Sequence, residues 1–282
     1  MQILAKIVDV RRELLKIRLS GKKIGLVPTM GYLHEGHLSL VDVAKENADI
    51  VVMSIFVNPT QFAPNEDLAR YPRDFARDER LARECGVDYI FYPEATEMYP
   101  EPYCTYVVTE KMAQVLCGVS RPTHFRGVTT IVAKLFNIVQ PEIAVFGQKD
   151  AQQAIIIRRM VRDLNFPIRI IIAPIRRESD GLAMSSRNVY LSAEERKQAP
   201  IIFKALNAAV EGVKRGLIDA GQIAEEIRAT ILTTRLAQID YVEIVDDQTL
   251  RPVKIVEPGT FAAVAVYYGK TRLIDNVYLK ER

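Results

Sequence analysis

Between Ile24 and about Ala173, short apolar runs alternate with longer segments of helical periodicity. Such runs are typical of strands buried on both faces, and strands that alternate with helices form βαβ units. We therefore predict an α/β fold with a doubly wound parallel sheet. The predicted strands lie near residues 24–28, 50–57, 89–92, 143–146 and 168–173. The predicted helices lie near residues 38–47, 74–85, 129–139 and 151–165.

The pattern changes after Arg177. Ser192 and Glu195 match a capping box, which predicts a long helix from there, and a second helix is predicted near residues 221–233. Strand-like runs follow at 241–245, 261–268 and 273–278. We predict two domains, residues 1–176 and a smaller α+β domain of residues 177–282.

Composition restricts the class of protein. A chain of 282 residues fits one large domain with a smaller one, and its 38 basic and 35 acidic residues form no basic tail, which argues against nucleic-acid binding. Cys85, Cys104 and Cys117 form no CxxC pair, which argues against a zinc site and a disulfide scaffold. The first twenty residues lack the apolar core of a signal peptide or a membrane span. We expect a cytoplasmic protein with no membrane partner.

Two of the three histidines, His34 and His37, lie between the first predicted strand and its helix. Open parallel sheets bind ligands beyond the carboxyl ends of their strands, so this loop is a candidate site. The two histidines are three apart and share one face of the first helical turn. Free N–H groups at a helix start, together with Gly31 and Gly36, suit a triphosphate, and imidazoles donate hydrogen bonds to phosphoryl oxygens.

Two other interpretations of this histidine pair remain open. The histidines are surface residues near a turn, or they are two ligands of a metal ion that needs a third. The chain has no GxxxxGK[ST] sequence, so the segment is not a Walker loop.

After the second strand, Pro59 ends the run, and Asn58 and Gln61 offer neutral donors and acceptors. These amides suit a small hydroxy acid. The alternative is an ordinary polar turn.

Arg121, His124 and Arg126 lie just before a predicted helix. Such a cluster attracts a carboxylate or a phosphate, although solvated arginines are common.

Lys149 follows a buried-looking strand and Gly147, and precedes a helix. This placement puts an ammonium within reach of a phosphate oxygen. The alternative is an exposed lysine, but a cation at a helix N-terminus is unfavourable, so some other partner is implied.

Ser185, Ser186 and Arg187 combine two hydroxyls with a guanidinium, in what we expect to be a mobile loop with Gly181 as its hinge. These groups together form a phosphate clamp. An unremarkable polar loop is the alternative.

Five segments, PTMGYLHEGH, FVNPTQF, RPTHFRGV, FGQKDAQQ and GLAMSSRN, resemble the pantoate-β-alanine ligase family in order and spacing from Val27 to Asn188. The resemblance implies the fold of the HxGH nucleotidylyl-transferase superfamily, with a Rossmann-like N-terminal domain and a smaller C-terminal lid. GLAMSSRN resembles the KMSKS loop of class I aminoacyl-tRNA synthetases. The implied reaction adenylates pantoate with ATP, releases pyrophosphate, and then joins the acyl group to β-alanine with release of AMP.

The resemblance also implies roles for individual residues. His37, His34, Lys149, Ser185, Ser186 and Arg187 match the residues that stabilise phosphoryl transfer, with His37 as the usual proton donor. ATP is implied to contact those six residues and Met30, Gly31, Tyr32, Leu33, Glu35, Gly36, Gly147, Gln148, Asp150, Arg176 and Met184. Gln61 and Gln153 match pantoate-binding residues, and Gln61 also lies near β-alanine. Mg²⁺ is expected with ATP, with no protein ligand assigned, and the family is typically homodimeric.

Two rival functions remain. One is another HxGH-type nucleotidyltransferase of cofactor biosynthesis, which would form a dinucleotide and no free AMP. The other is a nucleotide sensor that has kept the fold without turnover.

Overall fold

The computed structural model describes residues 1–64 and 66–282. Its contacts divide the chain into two compact units. The first unit contains Met1–Ala113, Arg121–Gly147 and Ile156–Pro174. The second contains Gln114–Ser120, Gln148–Ile155 and Ile175–Arg282. The division into functional domains at residues 176 and 177 stays a prediction.

The first unit is built on a six-stranded parallel sheet. Its strands are β1 (Gln2–Leu4), β2 (Ile24–Thr29), β3 (Ile50–Ile55), β4 (Tyr89–Phe91), β5 (Ile143–Gly147) and β6 (Arg169–Ala173). Their spatial order is β1-β4-β3-β2-β5-β6. The five predicted strands are confirmed as β2 to β6, whereas β1 was not predicted.

Helices cover both faces of this sheet. They are α1 (Ile7–Leu19), α2 (Glu35–Asn47), α3 (Phe75–Glu84), α4 (Ala95–Met98), α6 (His124–Val139) and the part of α7 (Ala151–Asp163) from Ile156 onward. The short helix α5 (Cys117–Ser120) and the start of α7 belong to the second unit. Leu26 and Val27 are neighbours on β2, so their side chains point to opposite faces, yet both are fully buried. The α/β fold with a doubly wound sheet is therefore confirmed.

Strand order decides where the loops converge. The chain adds β3 and β4 on one side of β2 and then places β5 on its other side, with Leu26 opposite Ala144. Open α/β sheets bind ligands beyond the carboxyl ends of their strands at such a reversal, so the edge beyond β2 and β5 is the candidate location for a site.

The second unit contains a three-stranded antiparallel sheet. Its strands are β7 (Ala237–Asp246), β8 (Thr260–Tyr268) and β9 (Thr271–Lys280), with β8 in the centre. Its remaining helices are α8 (Ala193–Gln198), α9 (Ile201–Lys214) and α10 (Ala220–Ile231). Apolar side chains of α9 and α10, including Leu206 and Ile227, pack with Val242 and Val264 of the sheet. The predicted α+β character is confirmed.

The long helix predicted from Ser192 is wrong in its length. The capping box is present, since Ser192 and Glu195 exchange hydrogen bonds of 2.8 and 3.3 Å. The helix ends after Gln198, and a new helix begins beyond Pro200. Proline has no N–H to continue the hydrogen-bond ladder, which explains the break, while Ala199 and Pro200 themselves keep helical backbone angles.

Among the described residues, none of the helices is both long enough and apolar enough to cross a membrane.

A close approach inside the first unit yields a prediction. A Cβ added at Gly127 of α6 would lie 2.3 Å from the carbonyl oxygen of Thr60, which is backbone and cannot rotate away. We expect Gly127→Ala to lower the free energy of unfolding by about 1–3 kcal/mol, the usual range for overpacking. Urea unfolding followed by circular dichroism measures the change.

Gly212→Ala is the matched control, because Gly212 also lies in a helix and its added Cβ would meet only Leu217 at an ordinary 3.4 Å. We expect this variant to gain roughly 0.5–1 kcal/mol from lower backbone entropy in the unfolded state. Equal unfolding midpoints for the two variants would contradict the tight packing at Gly127.

Candidate functional site

The loop between β2 and α2 is held by a buried carboxylate. Gly31 and Tyr32 have φ of 83° and 51°, and this pair of left-handed residues turns successive N–H groups toward Asp78. Asp78 accepts hydrogen bonds of 2.7 Å from both Tyr32 N and Leu33 N. A Cβ at Gly31 would lie 2.9 Å from Asp78 Oδ2, so glycine is required there. Burial raises the pKa of Asp78, although the two N–H donors act to lower it.

Sequence reasoning missed Asp78. The predicted helix near residues 74–85 was interpreted only as a sheet-covering element. The available signal was the position of Asp78 three and four residues from Phe75 and Ala82, on the apolar side of an amphipathic helix. A carboxylate on that side requires a partner, and the partner here is backbone from a distant loop.

The two histidines lie together at the start of α2, with ring centroids 4.0 Å apart. His34 is the N-cap, and its Nδ1 accepts from Gly36 N at 3.1 Å. His37 Nδ1 accepts from His34 N at 3.4 Å. An Nδ1 that accepts places the proton of a neutral imidazole on Nε2. The N-terminus of α2 therefore presents two Nε2–H donors beside its own N–H groups.

Asn58 and Gln61 form a buried amide pair after β3. Asn58 Nδ2 donates to Gln61 Oε1 at 2.9 Å and to the Gly127 carbonyl at 3.1 Å, so both of its N–H groups are used. This contact fixes Gln61 with its NH₂ group pointing away from Asn58. Tyr99, another residue that sequence reasoning missed, donates to Asn58 Oδ1 at 2.8 Å. Burial raises the pKa of Tyr99 to about 12, which keeps its hydroxyl protonated at ordinary pH.

The basic residues near the start of α6 already have protein partners. Arg121 Nε donates to Glu66 Oε1 at 2.8 Å, and Arg126 lies 4.5 Å over the Tyr106 ring. Burial acts to raise the pKa of Glu66, but hydrogen bonds and charge from Arg121 hold it below its usual value. His124 Nδ1 lies 3.0 Å from the Gln61 carbonyl oxygen. The cluster therefore fixes the backbone of Gln61.

In the second unit, Lys149 lies in the turn Gln148–Asp150, directly after β5 and Gly147. Its ammonium lies 3.6 Å from the Asp150 carboxylate and its side chain is 22% exposed. Asp150 is thus the partner that the sequence position implied. Gln153 follows on the first turn of α7 and is half-buried.

Residues 176–188 of the second unit form a hairpin followed by the start of a 3-10 helix. Met184 N donates to the Arg176 carbonyl at 3.0 Å, which closes a hairpin whose turn contains Gly181 at φ 93°. Ser185 then caps the 3-10 helix Ser186–Tyr190, its Oγ accepting from Arg187 N at 3.2 Å. Asn188 Nδ2 donates to Glu178 Oε1 at 2.9 Å. Arg176, Met184, Ser185, Ser186 and Arg187 thus follow one another around this hairpin and cap.

Within residues 1–64 and 66–282, no group of three or more histidine, cysteine, aspartate or glutamate side chains is placed to hold a metal ion. The donors gathered at α2 are N–H groups, and both oxygens of Asp78 accept from backbone. This donor set fits an anion.

Comparison with known proteins shows that the chain is similar to one family of ligases. The family model described as pantoate-beta-alanine ligase matches residues 2–278. A pantothenate synthetase of Caldicellulosiruptor bescii is 53% identical over 282 residues, which covers 100% of both chains. A crystal structure of pantothenate synthetase from Thermus thermophilus superposes with a TM-score of 0.95 at 44% identity, covering 99% of this chain and 100% of that one.

A third relative contains ligands. The crystal structure of pantoate-beta-alanine ligase from Francisella tularensis, complexed with beta-gamma ATP and beta-alanine, superposes with a TM-score of 0.81 at 33% identity. It covers 99% of this chain and 98% of that chain.

The hydrogen bonds to Asp78 yield a prediction for amide exchange. We expect Asp78→Ala to speed hydrogen exchange at Tyr32 and Leu33 by about tenfold or more, because each N–H loses a charged acceptor worth roughly 1.5–3 kcal/mol. Heteronuclear NMR of the exchanging amides measures it.

Asp74→Ala is the control, since Asp74 caps the same helix through Arg77 N at 3.0 Å and does not contact Tyr32 or Leu33. We expect it to leave exchange at both amides within about twofold while lowering stability by about 1 kcal/mol. Acceleration by both variants alike would show that the loop responds to stability alone.

Proposed function

We propose that this chain, which belongs to the pantoate-β-alanine ligase family, joins pantoate to β-alanine through a pantoyl-adenylate. Family membership over residues 2–278 makes it an ATP-dependent ligase that forms an amide bond. The alternative, a nucleotidyltransferase of cofactor biosynthesis, has no support among these relatives. The observation that carries the mechanism is the start of α2, where two imidazole Nε2–H groups lie at the positive end of the helix dipole.

The chemistry requires activation, because a carboxylate at neutral pH has no usable leaving group. In the proposed first step, a pantoate oxygen attacks the α-phosphorus of ATP and the bond to pyrophosphate breaks. In the second, the amine of β-alanine attacks the acyl carbon, loses a proton and displaces AMP. Attack at phosphorus places negative charge on the equatorial and leaving oxygens, so N–H donors and cations stabilise the transition state.

In the first unit we assign the triphosphate to the loop Met30 to His37. The positive end of the α2 dipole attracts phosphate oxygens, and His34 and His37 donate from Nε2. The same geometry supports His37 as the proton donor. The N–H groups of Tyr32 and Leu33 donate to Asp78. We therefore propose that these two residues shape the loop and pack against the nucleotide, and that they do not bind phosphate through the backbone.

We assign pantoate to the amide donors. Gln61 is held with its NH₂ group available, so it suits a carboxylate or hydroxyl of the substrate, and it lies near the proposed β-alanine position. Asn58 has both N–H groups engaged by protein, so its proposed contribution to pantoate binding is to orient Gln61. Gln153 is assigned to pantoate by the family pattern.

In the second unit the family pattern assigns phosphate contacts to Gln148, Lys149 and Asp150, and to Ser185, Ser186 and Arg187. Lys149 supplies an ammonium, and Ser185 and Ser186 supply hydroxyls. Arg176 and Met184 are assigned to the nucleotide, and their hydrogen bond keeps the two strands of the hairpin together.

The N–H donors at the start of α2 fit an anion and cannot ligate a cation. We therefore propose that Mg²⁺ arrives with ATP and would be held by the phosphates. When bound there, the ion supplies charge neutralisation of the triphosphate. A homodimer, a cytoplasmic location and a lid role for the second unit are also proposed, on the basis of the family; the three free cysteines agree with a reducing compartment.

The adenylate mechanism predicts exchange of labelled pyrophosphate into ATP. We expect this exchange to require pantoate and to proceed without β-alanine, because the first step is complete before the amine enters. The rival nucleotidyltransferase would not show pantoate dependence. A folded preparation that binds ATP and shows no exchange would rule out the mechanism.

His37→Ala tests the role of the histidine. We expect ATP affinity, measured by titration calorimetry, to stay within about threefold while kcat for AMP release falls about a hundredfold, since the donor acts mainly in the transition state. Lys45→Ala is the control: Lys45 lies on the last turn of the same helix, where its ammonium donates to the Cys85 carbonyl. It should leave both quantities unchanged. Equal loss of affinity and kcat in His37→Ala would mean that the residue only binds.

A further inference from the structure

Two adjacent polar residues are buried in the middle of β9. Asp275 is 4% exposed and Asn276 is 3% exposed. Neighbouring residues of a strand point to opposite faces, so these side chains leave the sheet on different sides. Asp275 is opposite Val264, which packs against α9 and α10, and Asn276 is opposite Ala263 on the other face. Buried polar groups cost free energy unless they are hydrogen-bonded, so their partners indicate their role.

Asn276 holds the backbone of the turn that carries Lys149. Its Nδ2 donates to the Gln148 carbonyl at 2.8 Å and to the Lys149 carbonyl at 3.1 Å. Its Oδ1 accepts from Gln148 Nε2 at 3.3 Å. Two consecutive carbonyls are thus fixed by the two N–H groups of one amide. We call Gln148–Asp150 the lysine turn.

Asp275 holds the hairpin that leads to Ser185. It accepts hydrogen bonds from Arg177 Nη1 at 2.6 Å and Nη2 at 3.0 Å, a bidentate pair. Arg177 Nη1 also donates to the Gly181 carbonyl at 3.1 Å, and the guanidinium lies 3.9 Å over the Phe203 ring. Because Arg177 and Gly181 both belong to the hairpin of residues 176–184, we call this segment the serine hairpin.

We propose that Asp275 and Asn276 are positioning residues that hold the serine hairpin and the lysine turn in a fixed register on β9. This inference rests on the proposed function, in which Lys149 and Ser185 to Arg187 act on ATP. In this proposal both β9 residues act through the segments that they hold and not by contact with the substrate. One strand sets the places of two phosphate-binding segments that lie far apart in the sequence.

The first test is a double-mutant cycle on pantoate-dependent pyrophosphate exchange, with Lys149→Ala, Asn276→Ala and the double variant. We expect Asn276→Ala alone to slow exchange by about tenfold or more, because misplacing a catalytic group by about 1 Å costs up to about a hundredfold. In the Lys149→Ala background, the same substitution should cost less than about twofold, since its effect acts through the lysine. Independent, multiplicative losses would overturn the proposal.

Ile227→Ala is the control for stability. Ile227 is buried in the core of the second unit, has no polar side-chain atom and lies on α10, outside the lysine turn and the serine hairpin. It should lower Tm at least as much as Asn276→Ala and leave the exchange rate within about twofold. If it slows exchange as much as Asn276→Ala does, the role of Asn276 is structural only and the proposal fails.

Asp275→Asn is a second variant in case Asn276→Ala does not fold. It keeps the side-chain shape but replaces one of the two acceptors of Arg177 by an NH₂ group. We expect slower exchange that is non-additive with Arg187→Ala, and additivity would count against the proposal.

The wild-type protein separates the two possible failures. Wild-type exchange without an effect of either β9 variant overturns the positioning role alone. Absence of exchange in the wild type overturns the proposed function.

Discussion

The parallel pairing of β2 with β3 on one side and β5 on the other is the constraint on which the first unit depends. It brings the carboxyl ends of three strands to one edge of the first unit, so the loops that follow Thr29 and Ile55 begin beside one another. Each loop is then shaped by a different local device. A carboxylate shapes the first loop, and an amide pair shapes the second.

Asp78 illustrates how the protein itself shapes a loop that we propose to bind an anion. Tyr32 N and Leu33 N satisfy a carboxylate of the protein itself, so the left-handed turn is stable before any ligand enters. His34 and His37 each accept a backbone N–H group on Nδ1, which places the proton of each neutral imidazole on Nε2. Preorganised donors need little rearrangement when charge develops, which is the main source of electrostatic stabilisation in enzymes.

The sequence predicted those elements whose signal is local. Strands β2 to β6 are apolar because both faces of the sheet are covered, and β7 to β9 also have strand-like composition. Strand β1 was missed because three residues at a sheet edge carry no periodicity, and α1 because charged residues obscure its narrow buried face at Val10 and Leu14. Asp78 and Asn276 were missed for another reason. Their partners lie 46 and 128 residues away, so only the folded chain brings them together.

The ion pair of Arg121 with Glu66 has a consequence for the reactivity of the proposed nucleophile. A guanidinium bound to a carboxylate withdraws electron density from its oxygens and weakens them as nucleophiles. Here that charge is neutralised by Glu66, and Gln61, the residue that we assign to pantoate, offers an uncharged amide. In the proposed mechanism, a substrate carboxylate held by an amide would keep its full negative charge for attack on phosphorus, so it would be oriented without loss of nucleophilicity.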